Sequence, residues 1–300
     1  MNFKVILSTI FILFTIFLLV FYFAPFNTLN FAVNSQGSNF SILPGNQMQF
    51  YPNMRFPSNS ISYKISDCPL QKEDDMEYAF RILENITMLS FYPVLDNEEI
   101  AITCEERNRI NNGLFIAGEG GPINITVAGD LSVITYGEIL LIRKSECSKP
   151  NVALHELFHV LGFEHSTNPE NIMYNVTDCN EIIGDDMIEL INELYSIPSY
   201  PDLYIQNVSA IMKGRFLDVN ITVVNGGLNK AQPFKVILYA NENIIDTIDF
   251  EEIDIGYGKI VNMRNIWVSE MNINELEFVI DSSDKEIDKE NNKIKLEIKI

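Results

Sequence analysis

The chain has three histidines, and all lie within the run His155-Glu-Leu-Phe-His159-Val-Leu-Gly162-Phe-Glu-His165. Residues four apart share one face of a helix, so His155 and His159 can aim their imidazoles at a single ion. Gly162 lets the backbone turn through conformations closed to other residues, which swings His165 round as a third nitrogen ligand. Three protein ligands leave the fourth position of tetrahedral zinc open to water, the pattern of a catalytic rather than a structural site. Glu156 follows the first ligand directly, where its carboxylate can take a proton from that water. The chemistry expected is hydrolysis with one catalytic zinc ion.

The segment that presents these residues reads as a helix over 151–162, closed by its glycine. Earlier, SISYKI at 60–65 alternates like a strand, and 71–89 carries Met76, Ala79, Phe80, Ile82, Leu83 and Ile86 at helical spacing. Segments around 99–103, 124–128 and 134–142 read as strands, and the glycines Gly118, Gly120 and Gly121 as a loop. A further helix is expected over 185–195, with Asp185 and Asp186 favourably placed at its start. Residues 49–198 therefore make an α+β domain, a twisted mixed sheet with three helices. After 201 only strand-like runs follow, at 203–208, 216–224, 234–239, 244–250, 259–268, 276–280 and 293–300. They are separated by turns such as Asn225-Gly226-Gly227, and point to an all-β immunoglobulin-like sandwich over 199–300.

The histidine run resembles the metzincin zinc endopeptidases, whose signature is H-E-x-x-H-x-x-G-x-x-H followed by a methionine turn. The resemblance implies His155, His159 and His165 as zinc ligands, Glu156 as general base and Gly162 as the turn residue. Asn171-Ile-Met173-Tyr174 is similar to the methionine turn. Ser166 after the third ligand, and Tyr174 after the methionine, resemble the matrixin branch. In this clan the substrate extends along an edge strand above the helix; the resemblance places that strand within 134–142, with Ile134, Gly137 and Ile139 as its residues. The cysteine switch and second zinc of matrixins are not expected, since 25–48 holds no cysteine and no histidine remains. The second half resembles the adhesion-related β-sandwich modules of bacterial and archaeal surface proteins, on Pro201-Asp-Leu, the strand 219–226 and Asn291-Asn292. That resemblance implies a surface or protein ligand for the sandwich.

Composition constrains partners and compartment. Forty-one acidic against 21 basic residues give a formal charge of −20, which repels phosphate backbones and excludes nucleic acid as a partner. Protein or peptide substrate is the expectation. Acidic residues over 281–291 read as a solvated loop that could hold calcium, although no calcium ligands are assigned. At the N-terminus an apolar run from Val5 to Ala24 follows Lys4. Twenty helical residues match a bilayer core of about 30 Å, so 1–24 reads as a transmembrane signal anchor and 25–48 as a linker. The catalytic domain is then membrane-anchored outside the cytoplasm, or secreted if the segment is cleaved as a signal peptide. Four cysteines, Cys68, Cys104, Cys147 and Cys179, agree with an oxidising compartment. Three pairings are open, of which Cys68–Cys104 with Cys147–Cys179 is the simplest. Six Asn-x-Ser/Thr sequons, at Asn39, Asn85, Asn124, Asn175, Asn207 and Asn220, add weak support.

Overall fold

The computed structural model describes residues 3–23, 28–32, 48–106, 109–111, 114–143, 147–270 and 273–299. Helix α1 (Phe3–Phe23) occupies the apolar N-terminal run. It does not make the expected transmembrane helix: among the described residues, no helix is long and apolar enough to cross a membrane. Strand β1 (Thr28–Ala32) follows, inside the stretch read as a linker, whose residues 33–47 lie outside the described ones.

The α+β body comprises β2 (Met54–Arg55), β3 (Ser60–Ser66), α2 (Leu70–Ile86), β4 (Ser90–Pro93), β5 (Ile100–Cys104), a hairpin of β6 (Arg109–Asn111) and β7 (Leu114–Ile116), β8 (Gly118–Ala128), β9 (Leu131–Leu141), α3 (Asn151–Val160) and α4 (Asp185–Ser196). Helix α2 forms because Met76, Ala79, Phe80 and Leu83 recur at three- and four-residue spacing and all enter the core. Met76, Phe80 and Leu83 each contribute about 1.5–3 kcal/mol by leaving water. In the sheet β3 runs parallel to β4 and β5, β5 parallel to β9, and β8 antiparallel to β9.

That order corrects two expectations. Strand β9, which holds Ile134, Gly137 and Ile139, is flanked by β8 on one side and by β5 and β2 on the other. It offers no free edge. Among the described residues β8 pairs with β9 alone and is the antiparallel edge of the sheet. The glycines expected in a loop, Gly118, Gly120 and Gly121, are the first turnless third of that edge strand. Two disulfides close the body, Cys68–Cys104 and Cys147–Cys179.

The second body contains β10 (Leu203–Lys213), β11 (Phe216–Asn225), β12 (Phe234–Ala240), β13 (Asn243–Phe250), β14 (Gly258–Trp267), β15 (Glu275–Asp281) and β16 (Lys293–Lys299). Its strand order is β13-β12-β15-β16-β1-β10-β11-β14, so the N-terminal β1 is inserted between β16 and β10. Phe31 of β1 is buried among Leu203, Val208, Phe278 and Leu296 in the sandwich core. Residues 281–291 are not simply a solvated loop. Glu286 accepts from the Leu203 backbone N–H at 2.9 Å, and Asn291 Nδ2 donates to Asp202 Oδ1 at 3.1 Å. These bonds tie the segment to the start of β10.

The two bodies share a small core of their own. Ala128, Leu131 and Val133 of the β8–β9 hairpin pack with Leu228 of the sandwich, all buried, with Ile197, Ile255 and Ile287 around them.

Candidate metal centre

All ten residues of α3 are buried, so this helix runs through the body rather than over its surface. His155 and His159 point from one face, and at Gly162 the backbone turns with φ +96°. A side chain at Gly162 would meet two obstacles: that φ, and Met54, whose Cβ lies 2.7 Å from where a Cβ would stand. The turn returns His165 to the other two. The three Nε2 atoms stand 3.0 Å (His155–His159), 3.1 Å (His159–His165) and 3.3 Å (His155–His165) apart.

The other ring nitrogens fix this arrangement. Nδ1 of His155 lies 2.7 Å from the Ile172 carbonyl oxygen, and Nδ1 of His159 lies 2.8 Å from that of Phe163. A carbonyl only accepts, so both Nδ1 atoms carry the proton and both Nε2 lone pairs face inward. Burial lowers the pKa of His155, and lowers that of His159 to about 4, with the neighbouring histidines adding to the effect. Both rings are thus neutral at physiological pH, the ligating form. Three converging lone pairs repel one another unless a cation lies among them. Tetrahedral zinc with nitrogen ligands at about 2.0–2.1 Å needs nitrogens about 3.3 Å apart, so the cluster fits that ion. Among the described residues His155, His159 and His165 form the one group of this kind that could hold a metal.

The sequence-expected methionine turn sits beside it. Met173 is buried, its N–H bonded to Asn171 Oδ1 at 2.8 Å, while Ser166 N–H donates to the Met173 carbonyl at 2.8 Å. Tyr174 N–H closes the turn on the Asn171 carbonyl at 2.9 Å. Because Ile172 holds His155, this turn and the ligand are one unit. Asn171 builds the turn through its side chain, a role that the spacing of the motif alone does not reveal.

Glu156 is buried with its carboxylate against β8. A Cβ at Gly118 would stand 2.7 Å from Glu156 Oε1, and one at Gly120 would stand 2.4 Å from the Glu156 carbonyl oxygen. Only glycine at both places lets the edge strand lie this close to the helix. Burial, then the negative charge of Glu119, push the Glu156 pKa up to about 8 without a cation present. Phe50 stacks on the His159 ring with centroids 5.9 Å apart. Sequence reasoning missed Gly118, Gly120, Glu119 and Phe50 as neighbours of the site. The two-residue spacing of the glycines is the one trace of it.

Residues 55–196 match the family model described as Matrixin. The chain carries a matrixin domain. Residues 200–295 match the CARDB model, so a CARDB domain follows it. The matrixin domain makes the protein a zinc metalloendopeptidase of the metzincin type, acting on protein or peptide substrates. Among solved structures, the chain is similar to the CARDB domain of a Pyrococcus furiosus protein solved in complex with di-metal ions. Identity is 15% and the TM-score 0.28, over 33% of this chain and 87% of that one. No curated protein matches the chain.

Proposed function

We propose that the matrixin domain hydrolyses peptide bonds outside the cytoplasm, with zinc on His155, His159 and His165 and with Glu156 as general base. The observation that carries this reading is the convergence of three Nε2 lone pairs, two of them fixed from behind by a backbone carbonyl on the other ring nitrogen. Bound zinc supplies a Lewis acid that acidifies water and polarises the scissile carbonyl. The Glu156 carboxylate takes a proton from the attacking water and delivers it to the leaving amine. A cation among the histidines favours the ionised form of this buried carboxyl, the form that accepts the proton.

The substrate backbone pairs antiparallel with the free edge of β8, whose first residues abut Glu156. Backbone pairing of this kind holds an extended chain irrespective of its side chains. The disulfides Cys68–Cys104 and Cys147–Cys179 support an oxidising compartment. The CARDB domain suggests a protein-interaction role beside the catalytic one.

Glu156→Ala tests the assignment: the purified variant retains one zinc per chain by metal analysis and loses cleavage of an unstructured protein. Retained hydrolysis in that variant overturns the role of Glu156. Loss of zinc from the histidine variants His155→Ala or His159→Ala, read by the same metal analysis, checks the ligands independently of activity.

A further inference from the structure

The strip 162–164, just past the end of α3, restrains two of the three histidines. The Phe163 carbonyl is the acceptor that orients the His159 ring, and Glu164 directly precedes His165. From outside, this strip is held by the segment 48–50, which lies antiparallel to it with Gln49 opposite Phe163. Phe50 N–H donates to the Gly162 carbonyl at 2.9 Å, and Glu164 N–H donates to the Met48 carbonyl at 2.9 Å. Ser166 N–H, on the other side of His165, donates to the Met173 carbonyl. The third ligand is therefore braced from both sides, by the methionine turn and by the 48–50 segment. That segment is itself closed into a loop. The buried Gln49 amide donates to the Met54 carbonyl at 2.8 Å and accepts from the Met54 N–H at 3.0 Å. Its tip carries Phe50, whose ring lies over His159 with the two planes 25° apart.

We infer that Phe50 is a positioning residue of the metal centre, seated by the loop 49–54 so that its ring holds the His159 imidazole in its ligating orientation. The inference rests on the zinc site proposed above. His159 is fixed at its edge by the Phe163 carbonyl and on its face by Phe50, two restraints at right angles to each other. Groups that orient a ligand from behind tune metal affinity without touching the ion. They act by having the ligands already assembled before the metal arrives, which lowers the cost of binding. Phe50 is suited to that role alone, because its side chain is 38% exposed and is not part of the packed core. Truncating it opens no core cavity, so the loss falls on the ligand it covers rather than on the fold. The loop also precedes residue 55, where the matrixin match begins, so this support comes from outside the matched residues.

The test measures zinc affinity of the full chain by competition with a chelator, alongside the melting temperature of the zinc-free protein. Phe50→Ala is expected to weaken zinc binding about tenfold, the size of effect seen when a group that orients a ligand is removed. The zinc-free melting temperature is expected to stay at the parent value. Phe50→Tyr keeps the stacked ring and is expected to bind zinc as tightly as the parent. Parent-like affinity in Phe50→Ala overturns the inference and leaves the zinc site standing. Equal weakening in Phe50→Tyr and Phe50→Ala also overturns it, since the ring would then not be what matters. A zinc-free melting temperature that falls with the affinity in Phe50→Ala assigns the side chain to general stability and overturns it too. A parent chain that takes up no zinc overturns the zinc site and the inference together.

Discussion

At the scale of single residues, the site depends on side chains that are absent as much as on those present. Gly118 and Gly120 both face Glu156 but touch different parts of it. The Gly118 position meets the Glu156 Cγ and Oε1, which can swing, whereas Gly120 meets the main-chain carbonyl, which cannot. Gly118→Ala is therefore expected to keep the fold and the zinc while displacing the carboxylate. The measurement is kcat beside metal content, with kcat falling about tenfold or more and zinc unchanged. Gly120→Ala should act on stability instead, by about 1–3 kcal/mol of overpacking. Glu181 gives a second residue-scale expectation. It is buried, neither carboxylate oxygen meets a donor in hydrogen-bonding geometry, and burial raises its pKa from 4.5 to about 6 despite the nearby Asn151 side chain. The folded state thus binds this proton more tightly than the unfolded one. Its contribution to stability is full below about pH 4.5 and is lost as pH rises through about 6. Glu181→Gln should raise the melting temperature at pH 7.5 and flatten its pH dependence between these values; a variant less stable than the parent at pH 7.5 counts against this.

At the scale of elements, what the sequence made legible was local and what it hid was non-local. The histidine helix, its closing glycine and the turn at Met173 are read from residues within a few positions of one another, and these residues lie close together in the structure. Helix α2 was legible because a 3.6-residue period needs no knowledge of its partners, although it stops at Ile86 rather than 89. The edge strand was not legible. Whether β9 or β8 is the edge depends on strands β2 and β5, drawn from distant parts of the chain, and no pattern within 134–142 encodes that. Glycines in β8 resembled a loop because glycine disfavours strands on its own; here the close approach to α3 outweighs that preference. The short run that forms β1 carries too little alternation to announce that it completes a sheet more than 170 residues away, at Ala210 and Ile211. The disulfide Cys147–Cys179 is the element-scale brace of the site, since it joins the segment before α3 to the segment before α4. It closes a loop with a sequence separation of 32. Chain-entropy arguments put its effect at roughly 3–4 kcal/mol. Replacing both cysteines by serine should lower the melting temperature and weaken zinc retention against a chelator, as Asn151 at the head of α3 bonds the Asp178 carbonyl beside Cys179.

At the scale of the whole molecule, the question is whether the two domains act as one body. Arg55 bears on it directly. Its guanidinium is buried, donating to the carbonyls of Leu194, Ile197 and Pro57, while Nε donates to that of Phe56 and the group lies 4.4 Å over the Tyr195 ring. Burial lowers its pKa to about 10, still well above neutrality, so a full charge is held inside. The Leu194 and Ile197 carbonyls belong to the end of α4 and the start of the connection into the sandwich, while those of Phe56 and Pro57 follow β2, so Arg55 ties the exit of the chain to the segment after β2. Ser199 Oγ repeats the tie by donating to the Pro57 carbonyl at 2.6 Å. Beyond it, Ala128, Leu131, Val133 and Leu228 form a core to which neither domain alone contributes enough apolar surface. Removing Arg55 leaves several buried carbonyls without a donor, which costs about 1–3 kcal/mol for each that water cannot reach. Leu228→Asp places a charge in the shared core without touching any residue of the zinc site. Calorimetry of the parent should therefore show one unfolding transition, and Leu228→Asp should split it into two, with zinc content and short-peptide cleavage retained. A single transition in that variant would mean the domains are coupled elsewhere. Two transitions already present in the parent would mean that the junction does not couple them at all.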